Sequence, residues 1–376
     1  MKESTPSHEP LLFFAFRKSQ KNFFETMLPH CRYPVRIVFS KYVKGISFKA
    51  IKAFKKEMIL PACAFAVDEF YAKTNIRIPH GLLHTIFKAL AFLNYIRYAS
   101  VLEKGASAML VWNGGKFRQR IAIVIAKQKG IRVCYFENGL LPHTLVFDTK
   151  GINFDNSVPR EKKFYENYVS DIALPNDLVP RIGKNREIFL GEKIPLPPVY
   201  IFVPFQVDYD TQIISQSPWI KNMRMLFDVI AQVAKTTSYH FVLKEHPSSG
   251  VEYPDLHERV RNIPNMGFYN TYATQELIEK SVGVITVNST VGVESLLFGK
   301  TVITLGNAFY AIEEVSFHAD DLADLTAYVA DIENLKPNRQ LVENFLKYLY
   351  HEYLIHKDGN EHNALCKRLE NQKGWQ

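Results

Sequence analysis

Residues 282–306 read VGVITVNSTVGVESLLFGKTVITLG. Two short apolar runs rich in β-branched residues, VGVITVN (282–288) and TVITLG (301–306), bracket a stretch at 290–298 with helical spacing. Asn288 and Ser289 are good N-cap residues, and Gly299 followed by Lys300 closes the helix. Strand, helix and strand in so short a span form the unit of a parallel sheet with crossover helices.

The same order repeats outward. Upstream lie VYIFVPF (199–205), a helix at 219–235, HFVLKE (240–245), a helix at 253–262, MGFYN (266–270) and a helix at 273–280. Downstream, helices near 319–331 and 338–355 close the chain. Before all of these, PNDLVPRIGKNREIFLGEKIPLPP (175–198) is interrupted by Pro and Gly and reads as a domain boundary. Earlier still come strands LLFFAF (11–16) and RIVFS (36–40), helices at 48–74 and 80–103, AMLVWN (108–113), a helix at 116–129, RVCYFE (132–137) and a helix at 160–171. The expected fold class is α/β, with two Rossmann-like domains facing a cleft. The first covers 1–180 and the second 195–335, and 336–376 supplies helices that close the fold.

A chain of 376 residues is long enough for two such domains of about 150 residues each. Its 47% apolar and 22% charged residues place it among ordinary globular proteins rather than disordered ones. No window approaches the ~18 uninterrupted apolar residues of a spanning helix. MKESTPSHEPLLFFAF has acids ahead of a short apolar run and no small-residue cleavage site, unlike a secretory signal. The expected location is cytoplasmic. Cys31, Cys63, Cys134 and Cys366 form no C-x-x-C pair, so buried or incidental thiols are expected rather than zinc or a disulfide framework. The net charge of +8 favours anionic partners: nucleic acid, anionic lipid or an acidic substrate. KYVKGISFKAIKAFKK (41–56) sets six lysines among aromatics. On a helix this is a basic amphipathic surface able to rest on an acidic membrane, or simply a solvated face.

Ligands of open parallel sheets sit beyond the carboxyl ends of the strands. Four such ends here are polar. Glu137 opens YFENGLLPHTLVFDTKGINFDNSVPR (135–160), which reads as neither strand nor helix. The others are QVDYDTQ (206–212), KEHP (244–247) and NSTVG (288–292). Four at once argue for one convergent site. The helix start at NSTVG suits an anion held by the Ser289 and Thr290 hydroxyls and backbone amides; the plainer reading is a capped crossover helix. Pro247 fixes the chain after His246, whose imidazole can donate to a phosphate or a leaving group. Lys244 and Glu245 point to opposite faces, so at most one joins it. Asp208 and Asp210 form an Asp-x-Asp that could clamp a metal or supply a nucleophile or base. No further nearby acid completes a magnesium shell, which favours the metal-free role. In Trp112-Asn113-Gly114-Gly115 the glycines serve either a close ligand or a tight turn. Within 135–160, Gly139 and Pro142 shape the turn, while Asp148, Gly151 and Asn153 fix the return. Arg160 counters an acidic ligand or begins the next helix. The chain has no G-x-x-x-x-G-K-[ST], G-x-S-x-G or H-E-x-x-H, which argues against a P-loop kinase, an α/β-hydrolase and a zincin.

ENGLLPHTLVFDTKGIN, VPFQVDYDTQI, KEHPSS and VNSTVGVESLLFGKTVITLGNAFY, in this order, resemble the bacterial capsule polysaccharide biosynthesis proteins, β-Kdo transferases that build capsule linkers or cap lipopolysaccharide glycans. The resemblance spans about residues 110–315 and is weak in the first hundred residues and the tail. It implies a glycosyltransferase B fold, with the acceptor on the N-terminal domain and the donor CMP-Kdo in the C-terminal one. It also implies retention of the β anomer. His246 and Pro247 then match the pair that holds the CMP phosphate, and Ser289 and Thr290 the phosphate-binding helix start. Gln206, Lys244 and Asn288 complete the implied donor set. Asp210 matches the candidate nucleophile, with Asp208 ranked second, and Glu137 or His246 is the acid/base. No cofactor or metal is implied beyond the CMP-sugar, because one phosphate can be balanced by His246 and a helix terminus. The implied partners are the CMP-sugar donor, an anionic glycan or glycolipid acceptor and, peripherally, the inner membrane; nucleic acid is not among them. Two other readings compete: a metal-dependent UDP-sugar transferase using Asp208 and Asp210, and a non-catalytic glycan-assembly protein at the membrane.

Overall fold

The computed structural model describes residues 9–141, 143–174 and 191–370. Pro142 and most of the expected boundary segment lie outside them. The N-terminal half contains β1 (Leu11–Ala15), α1 (Lys18–Met27), β2 (Val35–Phe39), α2 (Phe48–Ala53), α3 (Leu60–Lys73), α4 (His80–Leu102), β3 (Ala108–Trp112), α5 (Phe117–Gln128), β4 (Arg132–Asn138), β5 (Thr144–Asp148) and α6 (Lys162–Glu166). The second half follows with β6 (Tyr200–Pro204), α7 (Thr211–Gln216), α8 (Met223–Ala234), β7 (His240–Lys244), α9 (Pro254–Val260), β8 (Met266–Phe268), α10 (Thr274–Lys280), β9 (Gly283–Thr286), α11 (Val291–Leu297), β10 (Thr301–Thr304), β11 (Phe317–His318), α12 (Leu322–Ala330) and α13 (Arg339–Lys347). The chain then ends in β12 (Leu354–His356) and α14 (Glu361–Glu370).

Two six-stranded sheets result, in the orders β12-β5-β4-β3-β1-β2 and β11-β10-β9-β6-β7-β8. The central strands β1 and β6 are buried along their whole length, as parallel strands covered by helices on both faces must be. β1 pairs in parallel with β2 and β3, and β6 with β7 and β9. The strand order therefore reverses beside β1 in one sheet and beside β6 in the other. Such switch points open a crevice at the carboxyl edge. The two Rossmann-like halves of the expected fold are present.

Three segments differ from the sequence reading. Residues 135–160 are not one long loop. β4 turns sharply into β5, which pairs antiparallel with it, Glu137 opposite Val146. A Cβ at Gly139 would lie 1.8 Å from Thr144 Oγ1 and 2.5 Å from the Thr144 carbonyl carbon, so the turn needs glycine. TLVFD is buried at every position, so it lacks the alternation that marks a half-exposed strand. The expected helix at 48–74 breaks into α2, a 3-10 turn at Lys56–Ile59 and α3, with Pro61 in the first turn of α3. The expected helix at 338–355 runs as α13 to Lys347 and as a π-helix over Tyr348–Tyr353, and only its last residues leave it for β12, which pairs antiparallel with β5. The chain thus crosses back to finish the first sheet.

The halves are joined by one continuous apolar cluster that includes Tyr165, Phe309, Tyr310 and Phe345. Polar contacts fasten α7 to the N-terminal half. Lys116 Nζ donates to the Tyr209 carbonyl (3.1 Å), Arg120 to Ser215 Oγ (2.9 Å), and Gln216 Nε2 to Asp155 Oδ2 (3.0 Å). Among the described residues, no helix is long and apolar enough to cross a membrane.

Gly139→Ala should lower the unfolding free energy by about 1–3 kcal/mol, because the added methyl must displace the Thr144 backbone. Urea unfolding checks this; a change below about 0.5 kcal/mol would show a tolerant turn.

Candidate functional site

Glu137 is the penultimate residue of β4, beside the carboxyl end of β3, where Trp112 pairs with Phe136. Asn113 and Gly114 turn through positive φ (67° and 83°). That turn aims Asn113 Nδ2 at Glu137 Oε2 (2.6 Å), while Trp112 Nε1 (3.2 Å) and the Asn138 amide (2.9 Å) donate to Oε1. Burial raises the Glu137 pKa, these three bonds pull it back, and the charge of Asp210 pushes it up again. A carboxylate of the opposite half therefore lies within electrostatic reach. Asp210 is the N-cap of α7, its Oδ1 accepting from the Gln212 amide (2.9 Å). The sequence reading did not identify Trp112 and Asn113 as partners of Glu137; its only signal was the polar residue that ends β3. The glycines of that turn admit protein, since a Cβ at Gly115 would lie 2.7 Å from Thr211 Cγ2.

Asp208 is placed differently. It is only 4% exposed. Its Oδ1 accepts from the Met223 amide (2.6 Å) and its Oδ2 from the Tyr253 hydroxyl (2.9 Å), and burial raises its pKa. The two acids of the Asp-x-Asp thus serve different neighbours. Gln206 and Asn288, both buried, hold each other across the β6/β9 switch. Gln206 Nε2 donates to Asn288 Oδ1, and the Asn288 amide to Gln206 Oε1, each at 3.0 Å. Asn288 Nδ2 continues to the carbonyls of Gln212 and Gln216 (3.1 and 3.2 Å). These side chains position α7, and with it Asp210; the structure turns them away from the cleft.

Lys244 is buried, its Nζ donating to the carbonyls of Asn270 (2.7 Å) and Tyr272 (2.6 Å). Burial lowers its pKa to about 8. Glu245, on the other face, meets His257 Nε2 (2.7 Å) and Asn270 Nδ2 (3.2 Å). His246 is half-buried at the carboxyl edge. Its Nδ1 accepts from the Ser248 amide (3.1 Å), which leaves the proton of the neutral ring on Nε2. Pro247 follows in a trans peptide. Ser289 and Thr290, half-exposed, stand at the same edge beyond β9. Ser289 Oγ accepts from the Val291 amide (3.2 Å), and the Tyr310 hydroxyl donates to the Ser289 carbonyl. Tyr310 can pack there because a Cβ at Gly292 would lie 2.3 Å from its hydroxyl. α11 has only seven residues, so its dipole is a weak anion trap on its own. The structure thus brings Glu137, Asp210, His246, Ser289 and Thr290 to the carboxyl edges of the sheets, and buries Asp208, Gln206, Lys244 and Asn288 among protein partners.

The return of the β4–β5 hairpin is built as expected around Asp148, whose carboxylate accepts from the Lys150 and Ser157 amides and the Ser157 hydroxyl (2.7 Å each). Arg160 takes neither expected role. It clasps the same loop through the Phe154 carbonyl and Asn156 Oδ1 (2.8 Å each) and lies 5.6 Å from the Phe309 ring centroid. A cavity of about 890 Å³ lies between the end of α3, Tyr71–Asn75, and a wall that includes Asp208, Lys221 and Arg224.

Residues 107–186 and 192–358 match the family described as capsule polysaccharide biosynthesis protein. The chain is 34% identical over 290 residues to protein FixF of Sinorhizobium fredii, covering 75% of this chain and 69% of that protein. It is 25% identical over 288 residues to the capsule polysaccharide export protein KpsS of Escherichia coli, covering 60% of this chain and 72% of that one. Among solved structures, KpsC of Thermosulfurimonas dismutans, a beta Kdo 2,7 transferase, superposes with a TM-score of 0.50 at 15% identity, covering 97% of this chain and 100% of that one. At that identity the likeness is one of fold.

Two measurements test this geometry. Asp210→Asn removes the charge that raises the Glu137 pKa, so that pKa should fall. A carboxyl NMR titration that finds Glu137 unmoved would separate the two groups. Lys244 has a folded-state pKa of about 8 against an ordinary 10.5. Below the lower value both states bind the proton, and the cost of burying the ammonium is fully present. Between the two values the unfolded chain holds more protons, so stability rises with pH. Lys244→Met should flatten that rise in denaturant unfolding across the same window.

Proposed function

The chain belongs to the capsule polysaccharide biosynthesis protein family, and from that premise we propose that it is a glycosyltransferase moving Kdo from CMP-Kdo to a glycan or glycolipid acceptor with retention. The observation that carries the reading is the placement of two carboxyl groups, one from each half, where Gly115 packs on Thr211: Glu137 accepts from Asn113 on one side and Asp210 caps α7 on the other. Retention needs two displacements, hence a nucleophilic carboxylate and a separate acid/base.

Asp210 attacks the anomeric carbon, the bond to the CMP oxygen breaks, and CMP leaves as a phosphate that needs no proton. The acceptor hydroxyl then attacks the same carbon from the vacated face and releases Asp210. Glu137 takes the hydroxyl proton, and its raised pKa makes its ionised form a better base than an ordinary glutamate. His246, with its proton on Nε2, and the Ser289 and Thr290 hydroxyls form the edge on which the CMP phosphate rests.

The metal-dependent alternative requires Asp208 and Asp210 to share one ion. The Met223 amide and the Tyr253 hydroxyl instead occupy both oxygens of Asp208, which argues against that arrangement. The non-catalytic alternative gives no reason for two carboxyl groups to approach at a domain junction.

Purified protein should release CMP from CMP-Kdo and glycosylate a member of an acceptor panel, insensitive to chelator. Asp210→Asn should reduce transfer by roughly a thousandfold and leave CMP binding by calorimetry nearly unchanged. Substantial residual transfer would sink the assignment of Asp210.

A further inference from the structure

α4 is apolar on two faces. Leu83, Ala91, Tyr95, Tyr98 and Leu102 face the core. On the opposite side Leu82 (55% exposed), Ile86 (41%), Leu90 (42%) and Leu93 (51%) follow one another at helical spacing. The stripe is about 16 Å long from the helical rise. A helix that is apolar all round is ordinarily covered all round, yet here half of one is open to solvent. No aspartate or glutamate occurs between residues 70 and 102, while Lys73, Arg77, Lys88 and Arg97 do.

The lysine-rich segment lies alongside. The Ser47 amide donates to the Ile96 carbonyl (3.0 Å), and the Phe54 ring sits 4.8 Å from Phe92. α2 therefore runs along the C-terminal half of α4. It exposes Phe48 (77%) and Ile51 (41%) beside Lys49 and Lys52. Residues 26–56 contain no acid either.

We propose that the α4 stripe and α2 form a docking surface for an anionic lipid bilayer. Exposed large apolar side chains flanked by Lys49, Lys52, Lys88 and Arg97, with Glu103 held against Ser47 at the far end, match the chemistry of a membrane interface. A second copy of the chain is disfavoured as the occupant, since it would set two faces with an excess of lysine and arginine against each other. The orientation has a consequence. α4 leads into β3, so its N-terminus lies at the carboxyl edge of the sheet. It follows Tyr71–Asn75, which wall the 890 Å³ cavity. The stripe therefore starts at the mouth of the cleft, and docking sets that mouth against the bilayer, where a lipid-borne acceptor enters without leaving it. The docking surface does not depend on the donor proposed above.

The test is flotation of the full chain with phosphatidylcholine vesicles with and without phosphatidylglycerol. Wild type should float with the anionic vesicles only, and less as salt rises. The double variants Ile86→Glu/Leu90→Glu and Lys49→Glu/Lys52→Glu should each lose about tenfold or more in partition, each lysine near the surface being worth about fivefold. Their melting temperatures and CMP-Kdo turnover in solution should match wild type, which separates failed docking from failed folding or a wrong donor. Wild type that stays with neither vesicle, variants that float like wild type, or a wild-type dimer that Ile86→Glu/Leu90→Glu splits would each overturn the proposal.

Discussion

The cleft depends on one pair of buried amides. Gln206 and Asn288 close the gap where β6 and β9 become neighbours out of sequence order, and each satisfies the other. A buried amide left unpaired costs about 1–3 kcal/mol, so the pairing is strongly preferred. Its second donor reaches the carbonyls of Gln212 and Gln216. That bond ties α7 to the switch point of its own sheet, while Lys116, Arg120 and Asp155 tie it to the other half. A short helix held from both sides presents its N-cap, Asp210, in a fixed place. Two domains that rocked freely could not keep a carboxylate of one beside a carboxylate of the other.

That juxtaposition is electrostatically uphill, and the local structure shows how it is held. Glu137 receives three hydrogen bonds against the combined effects of burial and the Asp210 charge. One of the donors, Asn113, adopts a left-handed backbone (φ 67°) that a non-glycine residue takes only at some cost. The same turn puts Gly115 against Thr211, the first residue of α7. Strain, close approach and a raised pKa thus fall within a few residues of each other, where the two sheets present their carboxyl edges.

Much of this architecture was legible in the chain, for a specific reason. The central parallel strands are short apolar runs rich in β-branched or aromatic residues, several followed by polar residues, and both signals are local. β5 and β12 escaped because TLVFD is buried throughout and Leu354–His356 continues an apolar helical pattern; only pairing with distant partners makes them strands. In the candidate site, residue types at strand ends marked residues that gather at the carboxyl edges of the sheets. Which way each side chain turns was not legible. Asp208 and Asp210 look alike in sequence, and the difference lies in the Met223 amide and the Tyr253 hydroxyl, far along the chain. Lys244, Gln206 and Asn288, which the resemblance implies for the donor, are held by protein carbonyls and amides. Cys31 and Cys366, expected to be buried or incidental thiols, meet with Sγ atoms 2.9 Å apart, a contact that spacing alone cannot reveal.

The two walls of the cleft differ in kind. Glu137, Asp210, His246, Ser289 and Thr290 all fall inside the residues that match the family, which begin at 107. The helices α2, α3 and α4, which carry the cavity wall at Tyr71–Asn75 and the exposed apolar stripe, all precede that point. They reach the residues around the reacting groups through the Lys116–Glu69 pair (2.8 Å), the stacking of Arg120 over Phe65 (4.3 Å) and Lys73 over the Tyr209 ring next to Asp210 (5.3 Å). A layer attached in this way can change its outer face without moving Glu137. In the proposed reaction the donor demands fixed chemistry, whereas the acceptor demands only shape and a route of approach. The fold assigns the first task to its matched core and leaves the second to the outer faces of three helices whose inner faces belong to the same apolar cluster.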